Sequence, residues 1–142
     1  MQEDFFKDLY AILIADATIQ SIFSPATPRA RFNLANQDEI HPFIVYGGKF
    51  NYDDTEMFAS GNAFITIDVY DFRTNGSRGL QLVNAIKNVL NRNLFQNATK
   101  YRVLRWFLAS QANIPTGRED ITREELIFRC RFYDESLSRQ VT

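Results

Sequence analysis

Apolar residues return at helical spacing near the start of the chain. Phe5, Leu9, Ile12 and Leu13 share one face, with Phe6 and Tyr10 beside them. The pattern predicts a helix of about three turns over Asp4 to Ala15. Asp4 stands where an N-cap or first-turn carboxylate meets the positive end of the helix. Ala17 to Phe23 fits a further short turn of helix, which Ser24-Pro25 stops because the residue before proline is pushed out of helical space. Two prolines, several Asn and Asp residues and no periodicity make the following stretch, to His41, a connecting segment.

Pro42 opens the extended run Phe43-Ile44-Val45-Tyr46, rich in aromatic and β-branched residues. Gly47-Gly48 predicts a break or a bulge. Residues 49–60, with the acidic cluster Asp53-Asp54-Thr55-Glu56, read as a long loop or hairpin tip. From Ala63 to Phe72 the alternation is that of a strand: Ile65, Ile67 and Val69 on one face, Thr66, Asp68 and Tyr70 on the other. After the polar turn 74–77, Leu82, Val83, Ile86, Val89 and Leu90 form the apolar stripe of a helix spanning 79–92. Tyr101 to Ala109 and Leu126 to Tyr133 are the last two strands, joined by a long hairpin loop over 110–122.

The order helix, strand, strand, helix, strand, strand predicts an α+β fold, a four-stranded, mainly antiparallel sheet with two α-helices packed on one face. The last strand is expected to pair with the 63–72 strand. The opposite sheet face is then uncovered and carries Thr66, Asp68, Tyr70, Arg129, Arg131 and Tyr133. Asp68 is expected within ion-pairing reach of Arg129 and Arg131.

Composition narrows the picture. The chain has 142 residues, 45% hydrophobic and 23% charged, which suits one globular domain, 1–142, with a polar tail, 136–142, expected to be mobile. A formal net charge of −1 gives no global attraction to nucleic acid or to an anionic membrane. Leu9 to Ala15, the longest apolar run, is too short to span a bilayer, and the acidic start does not resemble a secretory signal. A single cysteine, Cys130, allows no internal disulfide and leaves too few thiols for a structural zinc site. The chain is expected to fold in a reducing cytoplasm without metal or other cofactor.

Catalytic chemistry finds little material. His41, the single histidine, precedes Pro42 in an extended segment, which suits a strand-entry residue better than a catalytic set. Cys130 alternates with core residues and reads as an inert buried thiol. Asp53, Asp54 and Glu56 lack the spacing and the glycine of an EF-hand loop and read as a solvated acidic loop. The glycines are scattered, and none builds a phosphate-cradling loop before a helix. No enzyme activity is expected. Arg102, Arg105, Arg129 and Arg131, with Tyr70, Trp106 and Tyr133, are the basic and aromatic mixture of a single-strand RNA platform. They also suit a protein interface, where Arg, Tyr and Trp are favoured.

Four segments in fixed order carry a resemblance. They are the helix ending Leu13-Ile14-Ala15-Asp16 and, after a Pro-containing linker, His41-Pro42-Phe43-Ile44-Val45-Tyr46. Then come Ile65-Thr66-Ile67-Asp68-Val69-Tyr70 with its polar turn and helix, and the hairpin ending Phe128-Arg129-Cys130-Arg131-Phe132. Together, over about residues 5–135, they resemble the tail terminator and tail-to-head joining proteins of long-tailed bacteriophages. The resemblance implies a virion location and a six-fold ring that caps the tail tube. It also implies, as partners, further copies of the chain, the major tail tube protein and head–tail connector or neck proteins, with neither membrane nor specific nucleic acid. It brings no catalytic residues. A closed ring needs unlike patches that meet head to tail. The acidic loop (Asp53, Asp54, Glu56) and the face bearing Asp68, Tyr70, Arg129, Arg131 and Tyr133 are the expected interface. A neck or head-completion protein, a nucleic-acid-binding accessory protein and a small enzyme are the alternatives.

Overall fold

The computed structural model describes residues 2–33, 40–53, 59–92, 96–97 and 101–134. Asp54 and Glu56 and the tail 136–142 lie outside the described residues. Helix α1 spans Gln2–Ala15 and α2 spans Ala17–Phe23. Strands β1 (Ala30–Phe32), β2 (Phe43–Tyr52) and β3 (Ala59–Phe72) follow, then a 3-10 turn (Arg73–Asn75) and helix α3 (Gly76–Arg92). Strands β4 (Gln96–Asn97), β5 (Tyr101–Asn113) and β6 (Ile121–Asp134) close the chain.

The six strands form one sheet in the order β1-β2-β3-β6-β5-β4. All neighbours are antiparallel except β1 and β2, which run parallel. The α+β class and the pairing of the last strand with β3 agree with the expectation; the four strands and two helices do not. The sheet has six strands, and three α-helices occur among the described residues. The added strands are edge strands of three and two residues, too short for an alternation to register. The short helix α2 is fixed by its cap: the Ile19 amide donates to Asp16 Oδ2 at 3.1 Å.

The strands also run longer than their alternation suggests. β2 passes through Gly47-Gly48 without a break in register, pairing Gly47 with Thr66 and Gly48 with Ile65. The two glycines are sites of close packing: a Cβ on Gly47 would strike the Asn33 side chain, and one on Gly48 the Phe64 carbonyl. Thr122 to Glu125, a polar run ahead of the expected last strand, pairs with Asp68 to Asp71. The expected loop at 110–122 therefore shrinks to 114–120, and β2 and β3 take up residues 49–52 and 59–60 of the expected 49–60 loop.

One face of the sheet carries the core. Ile65, Ile67 and Val69 of β3 and Leu126, Phe128, Cys130 and Phe132 of β6 pack under the apolar stripes of the helices. Phe5 of α1 is fully buried, with the rings of Phe6, Phe50, Tyr101 and Trp106 at centroid distances of 5.2 to 5.9 Å. Among the described residues, two partly buried polar ties fix the helices to the sheet. Arg78 of α3 donates twice to Asp71, Nε to Oδ2 at 2.7 Å and Nη2 to Oδ1 at 2.6 Å. Tyr101 of β5 donates to Asp8 of α1. Burial, then that bond, raises the Tyr101 pKa well above its ordinary value.

Candidate interaction surface

The helix-free face is laid out in cross-strand rows. One row is Phe43, Tyr70 and Arg123; the next is Val45, Asp68, Glu125 and Ala112. Beyond them come Gly47, Thr66, Ile127 and Ser110, then Lys49, Phe64, Arg129 and Phe107. The bare Gly47 backbone leaves a hollow of about 500 Å³, walled by Asn33, Val45, Lys49, Phe64, Asp68 and Ile127.

The first two rows form a self-contained network. Tyr70 stacks on Phe43 with ring centroids 4.7 Å apart and planes 5° from parallel. The Arg123 guanidinium lies over Tyr70 at 5.7 Å. Its Nη2 donates to Asp68 Oδ2 at 3.2 Å and to Glu125 Oε2 at 3.4 Å. Asp68 is 6% exposed, and burial raises its pKa despite the opposing pull of Arg123. Burial likewise raises Tyr70.

Of the expected interface residues, Asp53, Asp68, Tyr70, Arg129, Arg131 and Tyr133 are placed, with one correction. Asp68 shares its face with Arg129 and Arg131, but its ion-pair partner is Arg123. Arg129 stands four residues beyond Glu125 on β6, about 13 Å away. Arg131 donates to Asp53 Oδ2 at 2.6 Å and to Ser60 Oγ at 3.1 Å. Asp53 and Arg131, expected in two unlike patches, are therefore partners within one chain. Tyr133 lies under the Arg102 guanidinium at 5.8 Å. Trp106, expected on a basic platform, faces the core. Its register opposite Cys130 follows a bulge in β5 that breaks the alternation counted from Tyr101.

Sequence reasoning missed Phe64, Phe107 and Arg123. Phe64 was within reach: carrying the Thr66, Asp68, Tyr70 alternation back two residues puts it on the open face. The Phe64 and Phe107 rings are 38% and 47% exposed. Lys49 and Arg129, in the same row, are exposed and have no ion-pair partner among the described residues.

The flanks of the sheet differ. Beside β1, on the helix side, Phe6, Tyr10, Phe32 and Tyr46 line an apolar groove of about 570 Å³, rimmed by Gln2, Glu3 and Lys7. Phe6 and Phe32 are 4.7 Å apart and Phe32 is 47% exposed. Near the other flank, β5 carries Phe107 and Leu108, both exposed, between two shifts of register that re-aim its side chains.

Reactive chemistry is poorly served. His41 packs on Phe72 at 4.5 Å and Phe43 at 5.1 Å, and burial lowers its pKa below 6.5. Cys130 is buried, and desolvation pushes its thiol up to about 12, so it is neutral at pH 7. Among the described residues no three His, Cys, Asp or Glu gather to hold a metal ion, and no helix is long and apolar enough to cross a membrane.

No protein-family model matches the sequence, and no curated protein matches it. Among solved structures, a chain from "Virion of native gene transfer agent (GTA) particle" superposes with a TM-score of 0.71 at 16% sequence identity. The match covers 88% of this chain and 91% of that one, so this protein shares its fold over nearly its whole length with a chain of a virion particle.

Proposed function

We propose that this protein is a structural subunit of a virion, assembled as a ring that ends the tail tube and joins the tail to the head connector. The observation that carries the reading is the fold shared with a chain of the gene transfer agent virion. The bacteriophage resemblance of the four sequence segments supplies the finer position, at the tail-to-head joint. An exposed row of cations and aromatic rings on an open sheet face supports a role in assembly, because such residues dominate contact hot spots. The protein acts through contacts with copies of itself, with the tube protein and with connector or neck proteins, and it is not an enzyme. The neutral buried thiol and the aromatic-packed histidine favour that view.

Deleting the gene from a particle producer tests the position. Tails of uncontrolled length, or heads and tails that fail to join, are expected. Tails of normal length beside defective heads would point to a neck or head-completion subunit instead. Intact, functional particles would overturn the proposal.

A further inference from the structure

We infer that the outer edge of β5, from Leu108 to Asn113, pairs in the free protein with the same edge of a second copy about a two-fold axis. β4 covers β5 only at Tyr101 and Arg102. Leu108 stands six residues further along, about 20 Å from Arg102. From there to Asn113, β6 is the only strand beside β5 among the described residues. A strand so placed shows a row of unpaired amides and carbonyls, which is a template for another chain.

The features that guard an edge strand are thin here. Leu108-Ala109-Ser110-Gln111-Ala112-Asn113 holds no charge, no proline and no glycine. All six residues are exposed except Ala112, which is half-buried. The second register shift of β5 lies between Leu108 and Ser110, and from Ser110 to Asn113 the strand pairs residue for residue with β6, so this end of the edge is regular. The opposite flank of the sheet is guarded. β1 has three residues with Arg31 at their centre, and Lys49 stands in the part of β2 that β1 leaves uncovered. The matching uncharged edge is β5 of another copy. A two-fold axis normal to the sheet sets the two strands antiparallel, keeps both open faces on one side and brings no like charges together. Such a contact closes at two copies. It is therefore separate from the head-to-tail contact of a ring, and it covers an edge that would otherwise recruit other chains before assembly.

Sedimentation and amide hydrogen exchange of the purified full chain, at concentrations up to millimolar, test the contact. The wild type is expected to form dimers and nothing larger as concentration rises, with slowed exchange at amides between Leu108 and Asn113. The double variants Ser110→Lys/Ala112→Lys and Ser110→Glu/Ala112→Glu set like charges across the axis, with Ser110→Lys and Ser110→Glu alone as substitutes should a double variant fail to fold. Each is expected to dimerise about ten-fold more weakly at low salt, with unchanged thermal unfolding. An equimolar mixture of the Lys and Glu variants is expected to recover the dimer, because opposite charges then meet. A wild type that stays monomeric, association beyond dimers, charged variants that dimerise like wild type, or a mixture no stronger than its components would overturn the inference. Finding the chain in purified particles despite such a result would leave the virion reading standing and remove only this contact.

Discussion

Arg131 reaches from β6 past β3 to Asp53 at the end of β2, closing an ion pair of 2.6 Å within one chain. Both side chains are more than a third exposed, at 37% and 38%, so the pair positions the hairpin end more than it stabilises the fold. A double-mutant cycle with Asp53→Ala and Arg131→Ala, read by urea unfolding, is expected to give a coupling of about 0–1 kcal/mol that shrinks with added salt. A coupling of several kcal/mol would mean the pair is desolvated in solution.

The Asp71–Arg78 pair contrasts with it. The Asp71 side chain is 1% exposed and both of its oxygens accept from Arg78. Arg78→Ala leaves a buried carboxylate with the Phe72 amide, 2.8 Å from Oδ1, still donating to it. The expected loss is about 3 kcal/mol, seen as a lower denaturation midpoint with little change in slope. A loss below about 0.5 kcal/mol would show that the start of α3 is held by its apolar stripe alone.

Cys130 reports on the core. Its thiol is desolvated to a pKa of about 12, so labelling by a thiol reagent at pH 8 is expected to be slow until denaturant is added. Phe128→Ala, which empties a site 1% exposed two residues away, is expected to cost about 3–5 kcal/mol and to speed that labelling. Fast stoichiometric labelling of the native wild type would contradict the facing of β6.

His41 sets a pH dependence. Burial between aromatic rings lowers its folded pKa below 6.5, so near pH 6 the unfolded chain binds more protons at this site. The contribution of His41 to stability is therefore fully present above pH 6.5 and falls as the pH drops below it. His41→Phe keeps a ring against Phe72 and is expected to flatten the change in unfolding free energy between about pH 7.5 and 5.5. An equally steep change in the variant would assign the dependence to other groups.

The helices and the two central strands were legible because their apolar periods are long and regular. α2 and α3 lie where the pattern puts them, and β3 extends its expected range by four residues, from Ala63 back to Ala59. What stayed hidden has local causes. Edge strands of two and three residues carry no period, Gly47-Gly48 has the look of punctuation, and the bulges in β5 scramble its alternation. The charged stretch from Arg123 to Glu125 has no apolar alternation to extend the strand, and its place on β6 shows only with Asp68 opposite and bound to Arg123. For the surface, the sequence placed Asp68, Tyr70, Arg129 and Arg131 on the face opposite the helices but did not point to the exposed rings of Phe64 and Phe107. Nor could it show that Asp53 and Arg131 satisfy each other within one chain.

The central claim is that the chain is a ring subunit of the virion. The most direct measurement is quantitative mass spectrometry of purified particles, combined with imaging of the same particles by electron microscopy with the chain tagged. The account predicts a fixed number of copies per particle, equal to one ring, with the tag at the head end of the tail. Absence of the chain from purified particles, or copies scattered along the tail or over the head, would contradict it.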